Sequence, residues 1–198
     1  VDNAVKIVGS TTQLTGALVT TSTLVSAGSA VVSINDAAYG NGNGQTTNTV
    51  SATALSAIGS KTGGTVTTLN AIRITGTATQ VTDALVTDNS KVIAGQDNTV
   101  AVVSTTVSAE QGAGFTNIDN VNALFTSGVE DSIDNLTSSD TQISTNLSTI
   151  TNFDTSTKIY IDDAAFGDGN NNTTTKTISA KRLSTVGGST TGTVTVSN

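Results

Sequence analysis

Proline, cysteine, methionine, tryptophan and histidine are all missing from the 198-residue sequence. Without cysteine there is no disulfide framework and no thiolate to act as nucleophile or ligand. Without histidine, Ser-His-Asp triads and imidazole metal sites are excluded. Aromatic residues make up only 3% of the chain, which argues against a platform on which a sugar ring would stack. Basic residues are scarce as well: eight, against fifteen acidic ones, for a net charge of −7. Phosphate backbones need clustered Lys and Arg, and the only adjacent pair is Lys181-Arg182, so neither nucleic acid nor an anionic membrane is expected as a partner. No signal peptide, transit peptide or apolar run long enough to span a bilayer is visible, so no membrane insertion is expected. The absence of methionine implies a start inside a longer gene product or after processing, with any secretion signal outside these residues.

About a fifth of the residues are threonine, and Ser, Gly, Ala, Val and Asn supply much of the rest. Small and β-branched side chains favour thin, closely stacked layers over a bulky core. The apolar residues are too many and too patterned for a disordered Ser/Thr tract. Comparing the chain with itself explains the pattern. Ile34-Asn35-Asp36-Ala37-Ala38-Tyr39-Gly40 returns as Ile161-Asp162-Asp163-Ala164-Ala165-Phe166-Gly167. Val50-Ser51-Ala52 with Leu55 and Ile58-Gly59 returns as Ile178-Ser179-Ala180 with Leu183 and Val186-Gly187, and Gly64-Thr65-Val66-Thr67 as Gly192-Thr193-Val194-Thr195. At about half that spacing, Ile7-Val8-Gly9 with Gln13 and Ala17-Leu18-Val19-Thr20 matches Ile74-Thr75-Gly76 with Gln80 and Ala84-Leu85-Val86-Thr87. A weaker copy starts at Thr141-Gln142-Ile143-Ser144. The period is roughly 65 residues, near the range of array units. It divides the chain into repeats 1–70, 71–138 and 139–198 of one continuous array.

Within a repeat the local code mixes helix and strand. Ser10-x-x-Gln13, Thr77-x-x-Gln80 and Ser139-x-x-Gln142 each read as a capping box that opens a short helix. A second helix fits Ser51 to Ile58 and Ser179 to Val186, each stopped by a glycine at its C-terminal cap. Alternating runs at Val31 to Ile34, Thr65 to Thr68, Ala71 to Thr75, Val100 to Ser104 and Thr193 to Val196 read as strands. At about 110–138 the repeat phrases are lost. There Ile118, Val121, Phe125, Val129, Ile133 and Leu136 fall at helical spacing, so this part is expected to depart from the array as helices. The expected fold is α/β, a repeat (solenoid-like) stack of short helices alternating with β-strands; the alternative is an all-β solenoid or sandwich.

These phrases resemble repeats of the giant Thr/Ala/Val-rich cell-surface proteins of marine unicellular cyanobacteria. Ile-Thr-Gly-Thr-Ala with Ala-Leu-Val-Thr, Ser-Ala-x-x-Leu-Ser-x-Ile-Gly and Thr-Gly-Thr-Val-Thr-Val carry the likeness over most of the chain except its divergent middle. Similar repeats occur in phage fibres and bacterial adhesins. The resemblance implies a structural or adhesive role at the cell surface or outside the cell, with no catalytic residues to carry over. The expected function is therefore a non-enzymatic, self-assembling segment of an extracellular fibre, sheath or surface layer. The alternative is an adhesin or phage-fibre module that binds a cell-surface glycan.

Few groups invite chemistry. Lys61-Thr62-Gly63 spells a tripeptide of penicillin-recognising enzymes, but no Ser-x-x-Lys accompanies it. Neighbouring carboxylates such as Asp162-Asp163 point apart in a strand. Threonine rows at Thr65/Thr67 and Thr193/Thr195 are too sparse for a flat ice-binding array and read as polar alternates of half-buried strands. Calcium is the one candidate cofactor, because a hard cation takes Asp, Asn and carbonyl oxygens on glycine-rich turns. Its candidate ligands are Asp36, Asn41 and Asn43 in one loop and Asp163, Asp168 and Asn170 in the matching one. Neither loop has the regular calcium-loop spacing, and the same atoms fit plain polar turns in which Asn-Gly and Asp-Gly accept positive φ. Tyr39 and Phe166, at one repeat position, read as packing plugs between repeats. Finally, reading off the C-terminus into the N-terminus regenerates an internal junction. The expected partner is thus another copy, head to tail, with Val5 and Ile7 placed beside Val194 and Val196.

Overall fold

The computed structural model describes residues 5–23, 25–40, 49–97, 99–163 and 177–197. The chain folds as mixed α/β with mostly parallel strand pairing and divides into two compact units. The first comprises Val1–Ser104 and Ile118–Leu124, the second Thr105–Asn117 and Phe125–Asn198.

In the first unit, strand β1 (Lys6–Gly9) leads into helix α1 (Thr11–Leu14), which continues as a π-helical stretch over Thr15–Val19. Strands β2 (Val31–Ile34) and β3 (Thr49–Ser51) precede α2 (Ala52–Gly59). Then come β4 (Val66–Thr68), β5 (Arg73–Gly76), α3 (Ala78–Leu85), β6 (Val92–Ala94) and β7 (Thr99–Val103). Strand β8 (Val121–Phe125) closes the series, its last residue belonging to the second unit. The strands form two sheets, in the orders β1-β2-β4-β6 and β3-β5-β7-β8. α1 and its π-helical extension pack on α2, and α2 packs on α3. Short strand, short helix, short strand is what the sequence dictates. Ser10 and Thr77 form complete capping boxes with Gln13 and Gln80, satisfying amides that the first helical turn leaves unpaired. Ala52, Leu55, Ile58 and Gly59 then give α2 one buried face. Leu55, Ile58, Ile74 and Val81 lie fully inside, where each large-to-small change costs about 2–5 kcal/mol.

The second unit holds α4 (Ala109–Thr116), β9 (Val129–Asp131), α5 (Ile133–Leu136), the antiparallel pair β10 (Thr137–Ser139) and β11 (Gln142–Ile143), α6 (Thr145–Phe153), β12 (Ile159–Ile161), α7 (Ala180–Gly187) and β13 (Val194–Val196). Its parallel sheet runs β13-β12-β9, extended by a bridge from Val107 to Val129. α4 lies on α6, with Gly112 against the side chain of Ile150, and Phe115 packs on Phe125 at 6.4 Å between ring centroids.

Residues that face one another across the parallel ladders are 24 to 35 positions apart. Thr49 stands opposite Arg73, Val66 opposite Val92, Val32 opposite Val66, and Ile159 between Val129 and Val194. Each step is therefore about half the expected period. Several steps also bring backbone onto backbone at a glycine. A Cβ on Gly64 would lie 2.2 Å from the Ala30 carbonyl oxygen, and one on Gly192 2.4 Å from that of Ser156. Beside both sits a threonine two residues earlier. Thr62 Oγ1 donates to Ala30 O (2.5 Å) and accepts from the Gly64 amide (3.0 Å). Thr190 does the same with Thr157 O (2.6 Å) and the Gly192 amide (2.9 Å). The Lys61-Thr62-Gly63 tripeptide is thus a turn brace.

Several sequence expectations need correction. The segment 110–138 is only partly helical: Val121 to Phe125 and Val129 to Asp131 are strands that join the parallel sheets. Apolar residues three or four apart there mark successive short elements, each contributing a few core positions. Ser139 and Gln142 open no helix but flank the turn of the β10–β11 hairpin, and the helix starts later, capped by Ser144. Gly59 is not a left-handed stop. It is the last helical residue, followed by Ser60 at φ −68°, and it is small because the Ser90 carbonyl oxygen lies 2.1 Å from where its Cβ would be. Substituting Gly64 by Ala should lower the unfolding free energy by about 1–3 kcal/mol through overpacking, read as a lower denaturant midpoint at unchanged slope. A midpoint equal to that of the parent chain would show the contact to be slack.

Candidate functional site

The two aspartates expected to ligate calcium sit at the same structural place. Asp36 lies two residues beyond β2, opposite the start of α1. Its carboxylate accepts from the Thr11 amide (2.7 Å) and the Thr11 hydroxyl (2.5 Å). Asp163 lies two residues beyond β12 and accepts from the Ile133 amide (2.9 Å) at the start of α5. Asp131, which sequence reasoning passed over, plays the same part for α4 by accepting from the Ala109 amide (3.0 Å). In each case a carboxylate from the next strand of the ladder satisfies the first amide of the preceding helix, where negative charge is favoured. The shared Asp36/Asp163 position was legible as a repeat; its role needed the strand register. The other candidate ligands, Asn41, Asn43, Asp168 and Asn170, lie outside the described residues, as does Phe166. Among the described residues no group of three or more Asp or Glu lies close enough to hold a metal ion. Tyr39 is half-buried and tied to β5: Arg73 Nη1 donates to its hydroxyl (2.8 Å), with the guanidinium 5.2 Å from the ring centroid.

In the second unit, a cleft of about 650 Å³ is lined by hydroxyl and amide side chains, among them Ser138, Thr141, Gln142, Thr145, Ser148 and Thr185. Among the described residues no aromatic or charged side chain lines it. Beside it Arg182 of α7 pairs with Asp134 and, at 3.6 Å, with Asp140.

The more informative surface is the far side of α7 and β13. The sequence match pairs Ala52, Leu55, Ile58 and Gly59 of α2 with Ala180, Leu183, Val186 and Gly187 of α7. All four are buried in α2. In α7 Val186 alone is buried; Leu183 is half-buried, Ala180 and Gly187 are exposed, and nothing lies within 4 Å of a Cβ built on Gly187. The strands differ in the same way. Val66 and Thr68 of β4 are 2% and 1% exposed, whereas Val194 is half-buried and Val196 is 48% exposed. β4 has strands on both sides, while among the described residues β13 pairs only with β12. At the other end of the chain β1 pairs, among the described residues, only with β2, and Val5 is 66% exposed with Ile7 half-buried. Side chains and elements that are covered in the interior copy therefore stand open in the terminal one.

No protein-family model, curated protein or solved structure matches the chain. Among the described residues no helix is long and apolar enough to cross a membrane.

Replacing Asp36 or Asp163 by Ala should each cost about 1–2 kcal/mol of stability, as for loss of a helix cap. The loss should be the same in excess chelator, which distinguishes a cap from a calcium ligand. A loss that vanishes once metal is removed would contradict the capping role.

Proposed function

We propose that the chain is a non-enzymatic structural protein, a self-assembling segment of an extracellular fibre, sheath or surface layer. Its ladder steps are the turns of a solenoid that continues from one copy to the next. The observation that carries this reading is the uncovered α7–β13 face, built from the same residues that α2 and β4 bury inside. An open strand edge with exposed valines is a template for another strand, and a repeat stack left uncapped presents a sticky end. A heterologous contact that does not close a ring extends into a filament. The composition agrees: small and β-branched residues stack tightly, and exposed Ser, Thr and Asn keep the outer surface wet. The side chains for triad or thiol chemistry are absent from the sequence, and the proposed role needs none of them. The bonds at issue are backbone ladders and apolar contacts, so salt should affect them little.

The purified chain should form one-dimensional assemblies whose length grows with protein concentration, visible by negative-stain microscopy and as broadening, faster sedimentation. A species that stays monomeric across the accessible concentration range would refute the proposal. Chains that stay dispersed but decorate glycan-bearing cells would favour the adhesin alternative.

A further inference from the structure

Building on that reading, we infer that the occupant of the open α7–β13 face is the first ladder step of a second copy, residues 5–28, in one fixed register. Inside the first unit, the segment that covers α2 and β4 is residues 71–95. It supplies β5 beside β3, α3 on α2, the Ser90 carbonyl over Gly59, and β6 beside β4. Residues 4–28 repeat the sequence of that segment. Ile7 and Gly9 match Ile74 and Gly76, and the Ser10/Gln13 capping box matches that of Thr77 and Gln80. Ala17-Leu18 matches Ala84-Leu85, and Val25-Ser26-Ala27-Gly28 matches Val92-Ile93-Ala94-Gly95.

The covering segment carries the complementary defect. Ile72 and Val92 are each 1% exposed, whereas their counterparts Val5 and Val25 are 66% and 50% exposed. Val92 to Ala94 form a strand, but residues 25–27 form none, although the sequence matches. They have the residues of a strand and no β4 to lie against. One surface lacks a cover and the other lacks a base, and the interior of the same chain shows how the two fit.

The register follows from the internal ladders. Val66, Thr67 and Thr68 face Val92, Ile93 and Ala94, so Val194, Thr195 and Val196 pair with Val25, Ser26 and Ala27 of the second copy. Thr49, Val50 and Ser51 face Arg73, Ile74 and Thr75, so Thr177, Ile178 and Ser179 pair with its Lys6, Ile7 and Val8. The arrangement expected from the sequence alone sets Val5 and Ile7 beside Val194 and Val196 instead; it follows β1 itself, which lies in the sheet of β2 and β4, whereas the inferred register follows its sequence counterpart β5. Gly187 receives the Thr23 carbonyl of the second copy as Gly59 receives that of Ser90.

The chain has no cysteine, so cysteines can be placed singly. Val194→Cys and Val25→Cys chains, purified separately and mixed under oxidation, should form a disulfide-linked pair, since facing Cα atoms of neighbouring strands lie about 5 Å apart. Neither variant should cross-link with itself, because the contact joins two different surfaces. A Val196→Cys chain should not cross-link to Val25→Cys. Assembly that occurs with cross-links at other positions would overturn this register while leaving the structural role standing; no assembly by the parent chain would overturn both. Gly187→Ala gives a second measurement. Alanine is the better helix former, so the isolated chain should melt no lower. Its Cβ would meet the Thr23 carbonyl of the second copy, and association should weaken at least about tenfold. Assembly of that variant at the parent affinity would also overturn the register.

Discussion

Everything in this chain rests on how closely one strand step must approach the next. Neighbouring strands in a ladder are about 5 Å apart, and the connections between them have to stack with the same spacing. At Gly64, Gly95 and Gly192 the chain passes so close to the neighbouring carbonyl that a Cβ would lie 2.2 to 2.4 Å from its oxygen. Bulky or ring-bearing residues have no place in such turns. The lack of proline and near lack of aromatics are therefore properties of the stacking. Threonine fits for the same reason: its hydroxyl closes the turn, as at Thr62 and Thr190.

That constraint also decides which features could be read from the sequence. Elements defined by local chemistry were legible: the capping boxes at Ser10 and Thr77, the helix after Ser51, and the strands at Val31 to Ile34 and Val194 to Val196. Features set by a neighbouring step were not. Gly59 looks like a helix stop because glycine commonly ends helices, and only the position of Ser90 reveals a packing contact. Asp36 and Asp163 look like cation ligands because they sit in glycine-rich polar loops, and only the register places them over a helix start. The segment 110–138 misled for a related reason. Once the phrases of the repeat are gone, apolar residues at Ile118, Val121 and Phe125 fit a helix as well as a strand, and the choice is made by the sheet edge that receives them.

The same dependence on neighbours links fold to role. In the proposed solenoid each apolar face would be covered by the adjacent step, so the terminal faces would keep the chemistry of the interior. The proposed assembly needs no specialised surface, because repeating the internal contact between two chains is sufficient.

The aspartate caps have a consequence for the order in which such a chain matures. The carboxylates of Asp36, Asp131 and Asp163 come 22 to 30 residues after the amides of Thr11, Ala109 and Ile133 that they satisfy. A short helix is marginal until its first turn is stabilised, so each of these helices stays incomplete until the following strand has been made and docked. At these three places the later strand locks the helix behind it, in the same sense as ribosomal synthesis.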